Sequence, residues 1–200
     1  MTENDSKLPA KRPLKVVLVC HSDLLGGASI VTYRLMNALR HEGVDARMLV
    51  YTKTTQSPEV DVISSRFNRG FRFMAERLEI MARNGFSYAN LFKVSTASLG
   101  VPVHRHPWVK EADVIVLSWI NQGLLSLSGI RKLGQTGKPL VWTMHDMWCL
   151  TGICHHAYEC SRYENECGCC PLLNSADPKD LSHKVWKKKA ELYRRVPITF

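Results

Sequence analysis

Leu14-Lys-Val-Val-Leu-Val-Cys20 decides the fold. This short apolar run, rich in β-branched residues, reads as a buried first strand. The loop from His21 to Gly27 leads into Ala28 to His41, where Ile30, Leu35, Met36 and Leu39 recur at roughly helical spacing and Gly43 follows as a stop. Strand, glycine loop and helix therefore open the chain.

Met48 to Tyr51 and Val60 to Ile63 read as further strands, and Asp113 to Trp119 and Pro139 to Met144 as stronger ones, with a crossover helix from Leu124 to Leu133 between the last two. Such alternation implies an α/β, Rossmann-like, mostly parallel sheet with helices on both faces, whose ligands gather beyond the carboxyl ends of the strands. The loops of interest begin at His21, Trp119 and His145. Asp177 to Arg195 reads as a last helix, with Asp177 as N-cap and Pro178 in its first turn. Residues 1–13, polar and containing Pro9 and Pro13, read as a loose tail before one domain over 14–200. Val196 to Phe200 looks like a strand in which the chain stops, so a truncated reading frame or an artificial boundary is expected there rather than a natural domain end.

The 200 residues are 45% hydrophobic and 22% charged, proportions that exclude collagen-like and disordered classes. No apolar run approaches the roughly 18 residues of a membrane span, and the polar start is no signal peptide, so a cytoplasmic location is expected. Lys plus Arg number 27 against 18 Asp plus Glu, a net charge of +9 that favours anionic partners. Nucleic acid is not among those expected, because no recognition helix, RNP pattern or two-Cys two-His finger occurs.

Gly26-Gly27, between the first strand and helix, lets backbone N–H groups approach a phosphate or sugar at the positive helix end, or simply makes a tight turn. Its spacing is neither a dinucleotide fingerprint nor a Walker loop. His145-Asp146 follows a strand directly, placing an imidazole on the same crevice, with Asp146 orienting the ring or capping the next segment. Within the Cys-rich loop 149–171, Cys154-x5-Cys160-x6-Cys167-x2-Cys170 sets out four thiols that suit a structural zinc, with free thiols or a disulfide as alternatives. His155, His156 and Cys169 are possible substitute ligands. Phe67, Phe71, Met74, Leu78 and Met81 form a stripe ringed by Arg66, Arg69, Arg72, Arg77 and Arg83 over Arg66 to Gly85. That helix either covers the sheet with a solvated basic face or lies on an anionic membrane surface. Lys187, Lys188, Lys189, Arg194 and Arg195 pose the same choice.

Gly26-Gly27-Ala28, His106 to Asp113, Trp142-Thr-Met-His-Asp-Met-Trp148 and Cys154 to Pro171 together resemble the amino-terminal half of bacterial family 4 glycosyltransferases, nearest to the colanic-acid and exopolysaccharide branch. The resemblance implies a GT-B fold and retaining transfer of a sugar from a nucleotide-sugar donor to a polysaccharide or lipid-linked acceptor. It implies that Gly26 and Gly27 line the cleft near the donor phosphate, with Trp119 among the substrate-binding residues. His145 would contact the transferring sugar or its phosphate, supported by Asp146. It also aligns Cys154, Cys160, Cys167 and Cys170 with cysteines of that branch. The donor-binding half and its Glu-x7-Glu pair are absent from this chain, so activity of the 200 residues alone is not expected. A non-catalytic, zinc-stabilised module binding a glycan or a partner is the alternative.

Overall fold

The computed structural model describes residues 12–64 and 66–200; most of the expected tail, and the side chain of Arg66, lie outside that description. Six strands form one sheet: β1 (Lys15–Ser22), β2 (Asp45–Thr52), β3 (Val60–Val62), β4 (Val114–Leu117), β5 (Leu140–Trp142) and β6 (Ile198–Thr199). Their order is β3-β2-β1-β4-β5-β6, and every pairing is parallel. This is the doubly wound, Rossmann-like α/β arrangement, with its topological switch between β1 and β4.

Each strand of such a sheet is buried on both faces, which is why β1 reads as a continuous apolar run. Val16, Leu18 and Cys20 face one side, against Met36 of α1 (Gly27–His41). Val17 and Val19 face the other, in a core shared with Val109 of α3 (Pro107–Glu111), Ile130 and Leu133 of α4 (Leu127–Gly134) and Leu192 of α5 (Leu181–Arg195). Helices thus cover both faces. The expected crossover helix is shorter than its apolar run: Ser126 caps it by accepting the Gly129 N–H, and Leu124 and Leu125 are buried in the turn before it.

Three expectations need correction. The last helix starts at Leu181, capped by Asp180 rather than Asp177. The Asp180 carboxylate accepts the N–H groups of Ser182 and His183 and also that of Cys170 at 2.8 Å. The Asp177 carbonyl instead accepts the Cys169 N–H, so residues 177–180 buttress the Cys-rich loop. Second, α2 (Arg66–Arg83) does not lay its apolar stripe on the sheet: Phe67, Phe71, Met74 and Leu78 are exposed, Phe67 by 83%. Its inner side carries Ile80 and the buried pair Glu76–Arg77, where Glu76 accepts the N–H groups of Thr96 and Ala97 at 2.8 and 3.1 Å. Arg77 is therefore no part of a solvated basic ring. Third, Lys189 is 2% exposed and leaves the basic face of α5.

Candidate functional site

Because all the strands are parallel, the loops that follow them open at one rim. His21 stands at the end of β1, its N–H donating to the Trp119 carbonyl at 2.8 Å, so the two flank the switch point. The His21 ring meets Tyr51 and Trp119 edge-on, with centroids 5.4 and 5.3 Å away. Burial lowers its pKa to about 4, helped by the nearby positive charge of Arg69, so the imidazole is neutral at pH 7.

Asp146 is the hub of the rim. One carboxylate oxygen accepts the Trp119 indole N–H at 2.9 Å and the His155 Nδ1–H at 2.7 Å; the other accepts the Trp148 backbone N–H at 2.9 Å. Burial pushes the Asp146 pKa up, but His155, the Trp148 amide and the Trp119 indole pull it below the usual carboxylate range. His155 is spanned from its far side by Ser95, 3.1 Å from Nε2, and lies 5.5 Å from the Trp119 ring. Both its ring nitrogens are engaged, so it is not a substitute metal ligand. Nothing in the sequence spacing marks His155 as the partner of Asp146.

His145 has its Nε2 buried with no hydrogen-bond partner, and burial lowers its pKa while Asp146 acts in the opposite sense. Among the described residues five buried side-chain N or O atoms lack a partner. Two of them, Asn121 Nδ2 and His145 Nε2, lie in the loops after β4 and β5, while the Thr55 side chain faces the Asp23 carboxylate. Native interiors leave few such groups unpaired, so these two stand out among the loops at the carboxyl ends of the strands.

Gly26 opens α1 with φ +91° and ψ 161°, a conformation only glycine adopts readily. No atom lies within 4 Å of a Cβ placed on Gly26 or Gly27, so the space before the helix is open. The turn is tied down through Asp23, whose buried carboxylate accepts the N–H groups of Leu24, Thr54 and Thr55 at 2.7–3.0 Å. The sequence gives no hint of this link. A cavity of about 580 Å³ bounded by Glu79, Ser98, Arg131 and Glu191 contains none of the rim residues.

The thiols occupy a separate region. Cys154, Cys160, Cys167 and Cys170 line one cavity of about 20 Å³, whereas Cys20 lies within β1 and Cys149 in the main core. Among the described residues no group of three or more His, Cys, Asp or Glu could hold a metal ion. The two regions join at Cys154, which neighbours His155 and pairs with Val94 in an antiparallel bridge.

Fold and rim define the chain as a parallel α/β domain whose strand-end loops carry Gly26, Trp119 and the Asp146 network at one edge of the sheet. Over 116 aligned residues, 55% of this chain, it is 30% identical to WcaC of Escherichia coli (strain K12), provisionally named a colanic acid biosynthesis glycosyl transferase. The aligned segment spans 26% of that relative's length. No family model matches the chain, and no solved structure matches it significantly.

Proposed function

We propose that this chain is the acceptor-side part of a retaining, family 4 glycosyltransferase of GT-B type, which moves a sugar from a nucleotide-sugar donor to a glycan or lipid-linked acceptor. The reading is supported by Asn121 Nδ2 and His145 Nε2, two unpartnered polar atoms in the loops after β4 and β5, which suit a ligand rich in hydroxyls. The similarity to WcaC supports the same class. In this reading His145, neutral and with Nε2 free, contacts the transferring sugar or its phosphate, and Asp146 holds the loop through Trp119 and His155. Gly26 and Gly27 leave the first N–H groups of α1 open to the donor diphosphate, whose developing charge such donors stabilise in the transition state.

The test is transfer from a panel of nucleotide sugars to a bacterial lipid extract, with the chain fused to the donor-binding half of a family 4 glycosyltransferase. Nucleoside diphosphate release is expected, falling at least ~100-fold in His145→Ala. No release from any donor, or an unchanged rate in the variant, overturns the reading.

The same proposal places the protein at the cytoplasmic face of an anionic membrane, where a lipid-linked acceptor resides. No helix among the described residues is long and apolar enough to cross a membrane. The exposed stripe Phe67, Phe71, Met74 and Leu78, with Arg83 also exposed on α2, suits a surface-lying helix instead. Phe67→Ser with Phe71→Ser is expected to cut co-sedimentation with phosphatidylglycerol-containing vesicles at least ~10-fold. Folding stability should change by less than about 0.5 kcal/mol, since both rings are already in water.

A further inference from the structure

We infer that Arg69 and Arg72 of α2, together with the Tyr51 hydroxyl, form an anion subsite beside the switch point that takes a phosphoryl group. The two arginines are three residues apart and so share one face of the helix, turned away from the exposed stripe of Phe67, Phe71 and Met74. Both are half-buried. The Tyr51 hydroxyl donates to the Arg69 carbonyl at 3.4 Å, and its ring meets that of His21 at the end of β1. Gly123 brings the loop after β4 against the same place. A Cβ there would stand 3.0 Å from the Arg72 Cβ and 3.3 Å from the Tyr51 hydroxyl oxygen, and the φ of +85° suits glycine.

The positive charge at this place has no counter-charge. Among the described residues the arginines in ion pairs are Arg12, Arg40, Arg47, Arg77, Arg194 and Arg195, and no carboxylate pairs with Arg69 or Arg72. Glu76, one turn further along α2, is engaged by Arg77 and by the amides of Thr96 and Ala97. Arg69 donates from Nη1 to the Ser64 carbonyl at 2.8 Å, and Arg72 donates from Nη1 to the Ser64 hydroxyl and the Asn68 carbonyl at 3.2 and 3.3 Å. These acceptors are neutral, and they leave the Nε–Nη2 edge of Arg69 without a hydrogen bond to a described residue. Such an edge matches two oxygens of a phosphoryl group, and the guanidinium stays charged throughout the physiological pH range.

Neighbouring groups register that charge. Burial lowers the His21 pKa and raises that of Tyr51; Arg69 adds to the first shift, and Arg72 and Arg69 oppose the second. Asn121, two residues before Gly123 and 3% exposed, holds a side-chain N–H donor with no partner in the same loop. A phosphoryl group supplies the missing negative charge and acceptor oxygens together, whereas a neutral sugar would leave both guanidinium charges uncompensated. The subsite stands on this geometry rather than on sugar transfer; within the transfer reading, the phosphoryl group belongs to the donor or to a lipid-linked acceptor.

The experiment titrates inorganic pyrophosphate into the 200-residue chain by calorimetry at near-physiological ionic strength. Binding is expected to weaken at least ~10-fold in Arg69→Gln and in Arg72→Gln. It should be unchanged in Arg34→Gln, which removes an exposed arginine of α1. Should the first two variants fail to fold, the His21 ring of the unaltered chain decides. Pyrophosphate in the subsite offsets the Arg69 charge and raises the His21 pKa, read from its ring proton shifts, whereas binding elsewhere leaves it in place. A second arm separates the sources: co-sedimentation with phosphatidylcholine vesicles carrying either a polyprenyl phosphate or the corresponding polyprenol. A phosphate-dependent gain that the Arg69 and Arg72 variants lose assigns the subsite to a lipid-linked group, and a response to pyrophosphate alone assigns it to a soluble one. No binding in either arm, an equal loss in Arg34→Gln, binding undiminished in Arg69→Gln and Arg72→Gln, or a His21 ring unmoved by bound pyrophosphate overturns the subsite. Neither arm requires sugar transfer, so failure here is distinct from failure of the transfer assay.

Discussion

Asp23→Ala is expected to destabilise the domain by about 3 kcal/mol, which for a chain of this size is a fall in Tm of roughly 10 °C. The buried carboxylate is the shared acceptor for the N–H groups of Leu24, Thr54 and Thr55, and no other acceptor stands in for it. Removing it strands donors in a dry place at ~1–3 kcal/mol each, partly relieved if water enters. Because these bonds join the loop after β1 to the loop after β2, the Gly26-Gly27 turn should loosen with them. Denaturation of variant and unaltered protein near pH 7 checks this; a difference under about 0.5 kcal/mol would refute it.

The pH dependence of that difference follows from the same contacts. Burial raises the Asp23 pKa, but the amides of Thr55 and Thr54 outweigh it and bring it from 3.8 to about 2. The folded state thus holds the carboxylate where the unfolded chain takes up a proton. The stabilisation is complete above about pH 4 and is lost as pH falls through 2, by about 2 kcal/mol. His21 also weakens the protein in acid, because the unfolded imidazole protonates below about 6.5 and the folded one only near 4. That loss is common to both proteins, so the gap between them isolates Asp23.

Asp146 carries the second large effect. Asp146→Ala removes the acceptor of the Trp119 indole, the Trp148 amide and the His155 ring together, and a loss of about 3 kcal/mol is expected. Transfer by the joined enzyme should fall at least ~100-fold, since the adjacent His145 loses its anchored loop. Asp146→Asn keeps one acceptor oxygen, but Trp119 and His155 share one oxygen while the other meets the Trp148 N–H, so the amide NH2 must face a donor on one side or the other. A loss of ~1–3 kcal/mol is therefore expected in denaturation of the Asn variant. Unaltered stability would remove Asp146 from its role as shared acceptor.

The sheet was largely legible in the chain. Strands buried on both faces advertise themselves as apolar runs, and Val16 to Cys20, Val114 to Leu117 and Leu140 to Trp142 all stand where such runs occur. Parallel pairing then follows from the helices between them, and it puts the loops at His21, Trp119 and His145 on one rim. The small helix Pro107–Glu111 was not legible, being only five residues long and capped by the His106 side chain. Asp177 and Asp180 are equally good caps by residue type; Asp180 wins because its carboxylate is also needed by the Cys170 amide.

Local pattern along this chain was enough to specify a parallel α/β sheet, because burial of strands and amphipathic spacing of helices are properties of neighbouring residues. It could not say which face of α2 would be wet, that Lys189 and the Glu76–Arg77 pair would be buried, or that Asp146 would be shared by Trp119 and His155. Those outcomes depend on residues tens of positions apart meeting with their polar atoms satisfied. Only the folded arrangement fixes which donor finds which acceptor, and which, as with His145 Nε2, finds none among the described residues.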